Sequence, residues 1–176
     1  MANYFSDSLS NTVSAVATAG FHAPAGNSGH LLSQFAKVTL TTDEDINTSD
    51  VIAMMRIPWT ARIWQLTLWT TALGADFDYD IGVYSSDGAN IVGAVKDVDL
   101  FDDDYDSAAV TADAGVPLLN AAALTVTARG QTLHALCGDT DAPNDGTEGL
   151  IALTLISNPA AVAGTIIMKL DYLANA

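Results

Sequence analysis

Asp76-Phe77-Asp78-Tyr79-Asp80-Ile81-Gly82-Val83-Tyr84 is the stretch that decides the fold. In an extended chain successive side chains point to opposite faces. Phe77, Tyr79, Ile81 and Val83 then share one side, and Asp76, Asp78 and Asp80 share the other. A helix would scatter both sets around its circumference. Ser86-Asp87-Gly88-Ala89-Asn90 follows as a turn, so the strand is expected to pair with residues 91–98 as a hairpin.

Outward from this strand the same punctuation recurs. Towards the N-terminus, residues 61–71 read as a strand, with Trp64, Leu66 and Leu68 on the core face and Gln65, Thr67 and Trp69 on the other. Residues 51–57 form another, stopped by Pro58, which cannot donate to a ladder. Residues 37–41 alternate cleanly before the Thr42-Asp43-Glu44-Asp45 loop. Towards the C-terminus, residues 99–117 are acidic and irregular and read as a long surface loop. Residues 118–128 leave helix and strand both open. Residues 131–137 suit a short helix ended by Gly138. Two closing strands, 150–157 and 165–172, are joined by Asn158-Pro159-Ala160. Seven or eight short strands at turn-punctuated spacing predict an all-β chain folded as an antiparallel β-sandwich.

Residues 1–34 differ. They are rich in Ser, Asn, Ala and Gly, are broken at Pro24, and hold few large apolar side chains, so they cannot bury enough surface to fold alone. They are either a disordered leader or an extended N-terminal arm ordered by a partner. Tyr4, Phe5 and Phe21 favour the arm and are its expected anchors. The expected organisation is an arm over 1–34 and a β-sandwich domain over 35–176.

The charge narrows the function. Asp and Glu number 21 against 6 Lys and Arg, a formal net charge of -15, and the cations are scattered singly. Phosphate contacts require clustered cations, which argues against a nucleic-acid partner and against an anionic membrane surface. Nearly all the acids are Asp, a turn and loop former rather than a helix former. No basic and apolar signal segment stands at the N-terminus and no apolar run approaches the ~20 residues of a membrane helix. A soluble product of a reducing compartment is expected, with Cys137 a lone thiol.

No catalytic constellation emerges, and the chain is expected to be neither an enzyme nor the holder of a cofactor. Asp76-x-Asp78-x-Asp80 opens like a calcium loop. However, Gly82 falls one place late and no bidentate Glu closes it, so a strand with three carboxylates on its solvent face is the simpler account. His134-x-x-Cys137 lacks the further soft ligands of a zinc site. Trp59, Trp64 and Trp69 raise carbohydrate stacking. Trp64 reads as core, whereas Trp59 and Trp69 are candidates for exposure, more readily at a protein interface than against a sugar.

Four segments together carry a resemblance: Arg56-Ile57-Pro58, Ala61-Arg62-Ile63, the run from Phe77 to Tyr84 followed by Asp87-Gly88, and the closing Ala163-Gly164-Thr165-Ile166-Ile167-Met168-Lys169-Leu170-Asp171-Tyr172. This pattern, spanning about residues 51–172, resembles the head decoration or cement proteins of tailed bacteriophages. The resemblance implies a jelly-roll-like β domain behind a variable leader. It also implies synthesis in the host cytoplasm and a place on the outer surface of the virion capsid. The major capsid protein would be the partner, and a homo-oligomer, preferably a trimer, the working form. A sugar-binding module and a tail or neck accessory protein are the competing readings, since sandwiches host all three.

Overall fold

A computed structural model describes residues 3–5, 31–41, 47–71, 73, 77–86, 92–106, 115–118, 131–138, 148–157 and 163–173. Nine strands account for most of them: β1 (Asn3–Phe5), β2 (Leu31–Leu40), β3 (Val51–Ile57), β4 (Arg62–Thr70), β5 (Asp78–Ser86), β6 (Val95–Asp106), β7 (Val116–Pro117), β8 (Glu148–Leu155) and β9 (Gly164–Leu173). A single helical turn, α1 (Leu133–Leu136), precedes β8.

The strands form two sheets, ordered β1-β3-β8-β5-β6 and β2-β9-β4-β7. All pairs are antiparallel except β1 with β3, which run parallel through Asn3–Val51, Tyr4–Ile52 and Phe5–Ala53. From β2 onward the chain changes sheets at every connection but β5 to β6. With the short parallel β1 set aside, four antiparallel strands on each side in this order make a jelly roll, the expected sandwich. β2 begins at Leu31, so four residues assigned in advance to the arm belong to a strand of the sandwich.

Apolar alternation places the core between the sheets. Val38, Leu40, Leu66, Leu68, Ile166, Met168 and Leu170 meet Ile52, Met55, Tyr79, Ile81, Val83, Ile151 and Leu153 across the gap. Phe77 stacks edge-on against Tyr79 at 5.6 Å, and Tyr79 tilts against Tyr105 at 5.3 Å. β3 and β8 are buried along nearly their whole length, the mark of strands covered on both faces. Val51, Ala53, Tyr84, Leu150 and Ala152 form a second buried cluster, with Val92 against it, and Tyr84 Oη lies 2.7 Å from Thr154 Oγ1.

Two expectations are corrected. The acidic stretch after residue 98 is strand as far as Asp106, not loop. Asp is depleted in strands, but Leu100 and Phe101 are buried and Tyr105 packs on Tyr79, so tertiary contacts override the local preference. The hairpin is correspondingly irregular. Ile81 pairs with Asp102 and Val83 with Asp97, so Gly82 alone stands opposite residues 98–101. The second correction is Trp64, expected in the core and found 52 % exposed. Ile63 pairs with Tyr172 and Gln65 with Asp171, which leaves Trp64 as the extra residue of a β-bulge. One inserted residue reverses the alternation: Ile63 and Leu66 both face inward, and Trp64 is turned out.

The expected helix before Gly138 is present. Thr132 Oγ1 accepts from Ala135 N at 3.3 Å as the N-cap, and Gly138 takes the left-handed conformation, φ 66°, that ends the turn.

Candidate protein-interaction face

The outer surface of the β2-β9-β4-β7 sheet is built by register. Leu31, Leu173 and Arg62 lie side by side across β2, β9 and β4; then Ser33, Asp171 and Gln65; then Phe35, Lys169 and Thr67. Lys37 and Trp69 flank Ile167 in the next row. In most antiparallel sheets the solvent face is polar. Here Leu31 is 54 % and Phe35 58 % exposed, and the bulge adds Trp64 beside them. Single exposed apolar residues are ordinary, but three large ones on one sheet make it the candidate contact surface.

Polar groups hold this face in place. Lys169 Nζ bonds Asp171 Oδ2 at 2.7 Å and stands 6.0 Å from the centroid of the Phe35 ring. Ser33 Oγ donates to Asp171 Oδ1, and Gln65 Nε2 donates to Thr67 Oγ1 at 3.1 Å. The fork of contacts on Asp171 fixes Lys169 over the aromatic ring, so the side chains around Phe35 are ordered before any partner arrives.

The anticipated interface residues are dispersed. Trp59 is 5 % exposed: it sits in the core, where a Cβ on Gly149 would come within 3.2 Å of its ring. His134 N donates to Trp59 O at 3.2 Å and Leu133 N to Ala61 O at 2.8 Å, so α1 closes over this corner. Trp69 shares the outer face with Phe35 but is half-buried. Gly115, at φ 74°, lies so near that a Cβ there would stand 2.5 Å from Trp69 Cε2. Tyr4 and Phe5 lie in β1, on the edge of the other sheet, and Phe21 lies outside the described residues. A sugar groove built on Trp59 or Trp69 therefore has neither indole fully open to it.

Leu31, Phe35 and Trp64 were not anticipated. Leu31 fell within the presumed arm, and Trp64 required knowledge of the bulge. Phe35 did carry a signal: Leu31, Ser33, Phe35, Lys37 and Thr39 alternate with Leu32, Gln34, Ala36, Val38 and Leu40, and only one of those sets can face the core.

The opposite character appears along β5 and β6. A shallow cleft of about 410 Å³ is lined by Asp78, Asp103, Asp104, Ile156 and Ser157. Asp80 Oδ1 accepts from Asp104 N at 3.0 Å, and Asp104 adopts φ 62° to make that contact. Burial raises the Asp102 carboxyl above the usual carboxylate range, and the charges of Asp103 and Asp80 add to this against a hydrogen bond from the Asp103 backbone. Burial likewise raises Asp80 and Asp97, the latter also through its hydrogen bond and like charge with Asp99. Among the described residues no group of three or more His, Cys, Asp or Glu has the arrangement of a metal site, and Asp76 lies outside them.

These shifts give a signed prediction. A carboxyl whose pKa is raised by folding binds its proton more readily in the native state. Stability therefore falls as pH climbs from the unfolded value, about 3.9, through the folded one. Asp102→Asn removes one such group. It is expected to raise the melting temperature at pH 7, with the gain shrinking as pH falls and gone near about pH 4. Thermal melts across that range check it; a variant less stable than the parent at pH 7 would contradict the assignment.

What the fold and this face define is a jelly-roll sandwich with one exposed aromatic surface and one acidic border. No family model and no curated protein matches the sequence. Among solved structures the chain is similar to one in "Capsid of Ralstonia phage GP4", with a TM-score of 0.57 and 17% identity over 85% of this chain and 87% of that one. It is also similar to one in "Cyanophage Pam1 capsid asymmetric unit", at 18% identity over 90% and 95%, though a TM-score of 0.48 gives that likeness no weight. At such identities the likeness establishes the fold.

Proposed function

We propose that this chain is a structural protein of a tailed-phage virion that seats on the outer surface of the capsid and braces neighbouring subunits of the major capsid protein. The observation that carries the reading is the shared architecture with a chain from a phage capsid structure over most of both lengths. The exposed aromatic face supports it, because adhesion requires a contact surface and no catalytic group. The segment through residue 30 serves as the arm, with Tyr4, Phe5 and Phe21 as anchors on the shell. Asn3–Phe5 pairs with the edge of this chain's own β3; the same backbone pairing, which tolerates many sequences, would serve the arm on the sheet edge of a neighbouring subunit. In an oligomer several arms reach the shell together, and each bound arm raises the effective concentration of the next. A strongly acidic sandwich on the outside does not compete for packaged DNA.

The test is a heat challenge of heads assembled without the protein. Adding the purified chain is expected to raise the temperature at which the heads release DNA. Tyr4→Ala, Phe5→Ala and Phe21→Ala together are expected to cancel that gain. Heads that release DNA at the same temperature with and without the intact chain would refute the bracing role.

A further inference from the structure

The two surfaces described above are complementary to each other. Lys37, Arg62 and Lys169, three of the six cations in the sequence, stand on the outer face of β2-β9-β4, with Asp171 the one carboxylate among the described residues of those rows. Beside them are Leu31, Phe35 and Trp64, each more than half exposed. Along the edge of the other sheet Asp78 and Asp106 are directly paired in register, and Asp103 and Asp104 project beside them. Ile156, 40 % exposed, lines the same acidic cleft and gives it an apolar floor. One patch is aromatic and cationic and the other is anionic with an apolar centre.

We propose that these two patches bind each other between copies of this chain, the β2-β9-β4 face of one copy seating on the β5–β6 acidic border of the next. The occupant is argued from charge. At a net charge of -15, like copies repel wherever acidic surfaces meet. A two-fold contact of the cationic face with itself would set Lys37, Arg62 and Lys169 against their own images. Head-to-tail contact pairs opposite signs instead and removes Phe35 and Trp64 from water. Because the two patches differ, the contact is heterologous and repeats around a closed ring if the rotation closes.

The contact uses no part of the shell, so it is tested in the absence of heads and its outcome is independent of the capsid reading. Sedimentation velocity of the full chain is expected to show a defined oligomer. Carbodiimide joins amines to carboxylates in direct contact. In a mixture of ¹⁴N- and ¹⁵N-labelled chains it is expected to give mixed-isotope links between Lys37 or Lys169 and the peptide holding residues 102–106. Phe35→Ser with Trp64→Ser is expected to leave monomers, and Lys37→Glu to weaken self-association on the order of tenfold. Both sets of changes lie on exposed side chains, and an unchanged melting temperature separates loss of contact from loss of fold. A chain that stays monomeric at all concentrations would overturn the proposal. So would a double variant that keeps its oligomer, or mixed-isotope links confined to other carboxylates.

Discussion

Gly82→Ala is expected to destabilise the native sandwich severely. The position lies in the middle of β5, hydrogen-bonded to β8 on one side and to β6 on the other. A Cβ there would stand 2.2 Å from Asp97 O, Val98 C and Val98 O. All three are backbone atoms, so no side chain can rotate aside. The irregular part of β6 crosses directly over Gly82, and it does so because residues 98–101 must loop out while Leu100 and Phe101 remain buried. Displacing that crossing would break the seating of Phe101 and the Tyr105–Tyr79 contact together. Overpacking commonly costs about 1–3 kcal/mol; with its three nearest atoms all backbone of Asp97 and Val98 the cost here is expected to exceed about 3 kcal/mol, a large share of a domain's stability of about 5–15 kcal/mol. Gly149→Ala is the control. Its nearest obstacle is the end of the Leu133 side chain at 2.6 Å, which can shift, so a smaller loss is expected. Urea denaturation of both variants checks the ranking. A Gly82→Ala protein that unfolds at the parent's midpoint would mean that β6 does not cross as described.

The second large effect separates two tryptophans that the sequence does not distinguish well. Trp59→Ala is expected to cost about 3–5 kcal/mol, the range for emptying a large aromatic site in a core. Leu133 and Gly149 pack around that indole, and α1 is hydrogen-bonded to the Trp59 and Ala61 carbonyls, so the cavity cannot close without moving the helix. Trp64→Ala is expected to change stability by no more than about 0.5 kcal/mol, because the bulge has placed that side chain in solvent. Denaturation midpoints give the first comparison. Quenching by iodide gives the second, with Trp64 the more accessible. Equal destabilisation by the two substitutions would contradict the bulge.

The Trp64 reversal shows where sequence periodicity stops being informative. The alternation through Phe77, Tyr79, Ile81 and Val83 was legible because all four inward positions are apolar and the outward ones between them, Asp78, Asp80 and Gly82, are not. Pro58 fixed the end of β3 for a covalent reason that no tertiary context removes. In β4, by contrast, Trp64, Leu66 and Leu68 obey a perfect alternation that the structure breaks between Ile63 and Gln65, since a bulge leaves no mark in residue type. β6 was hidden for a different reason. Its Asp residues oppose strand formation locally, and the energy that overrides them comes from partners distant in sequence, Tyr79 above all. The double burial of β3 and β8 was available in principle. Val51-Ile52-Ala53-Met54-Met55 and Leu150-Ile151-Ala152-Leu153 are continuous apolar runs, not alternating ones, and such runs signal cover on both faces.

The interaction face was less legible than the fold. Composition and motifs pointed to neither a phosphate-binding nor a catalytic site, but choosing which aromatic residues face outward required the registers of β2 with β9 and β9 with β4. Trp59 and Trp64 exchanged places as a result. Charge polarity was equally hidden, because Lys37, Arg62 and Lys169 are scattered in sequence and gathered only by strand pairing.

The central claim is attachment to the outside of a phage capsid, and co-sedimentation with expanded heads that lack the protein tests it most directly. The account predicts saturable binding at a fixed ratio to the major capsid protein, retained by heads already full of DNA. Protein that stays in the supernatant at every ratio, while the same heads bind another virion component, would contradict it.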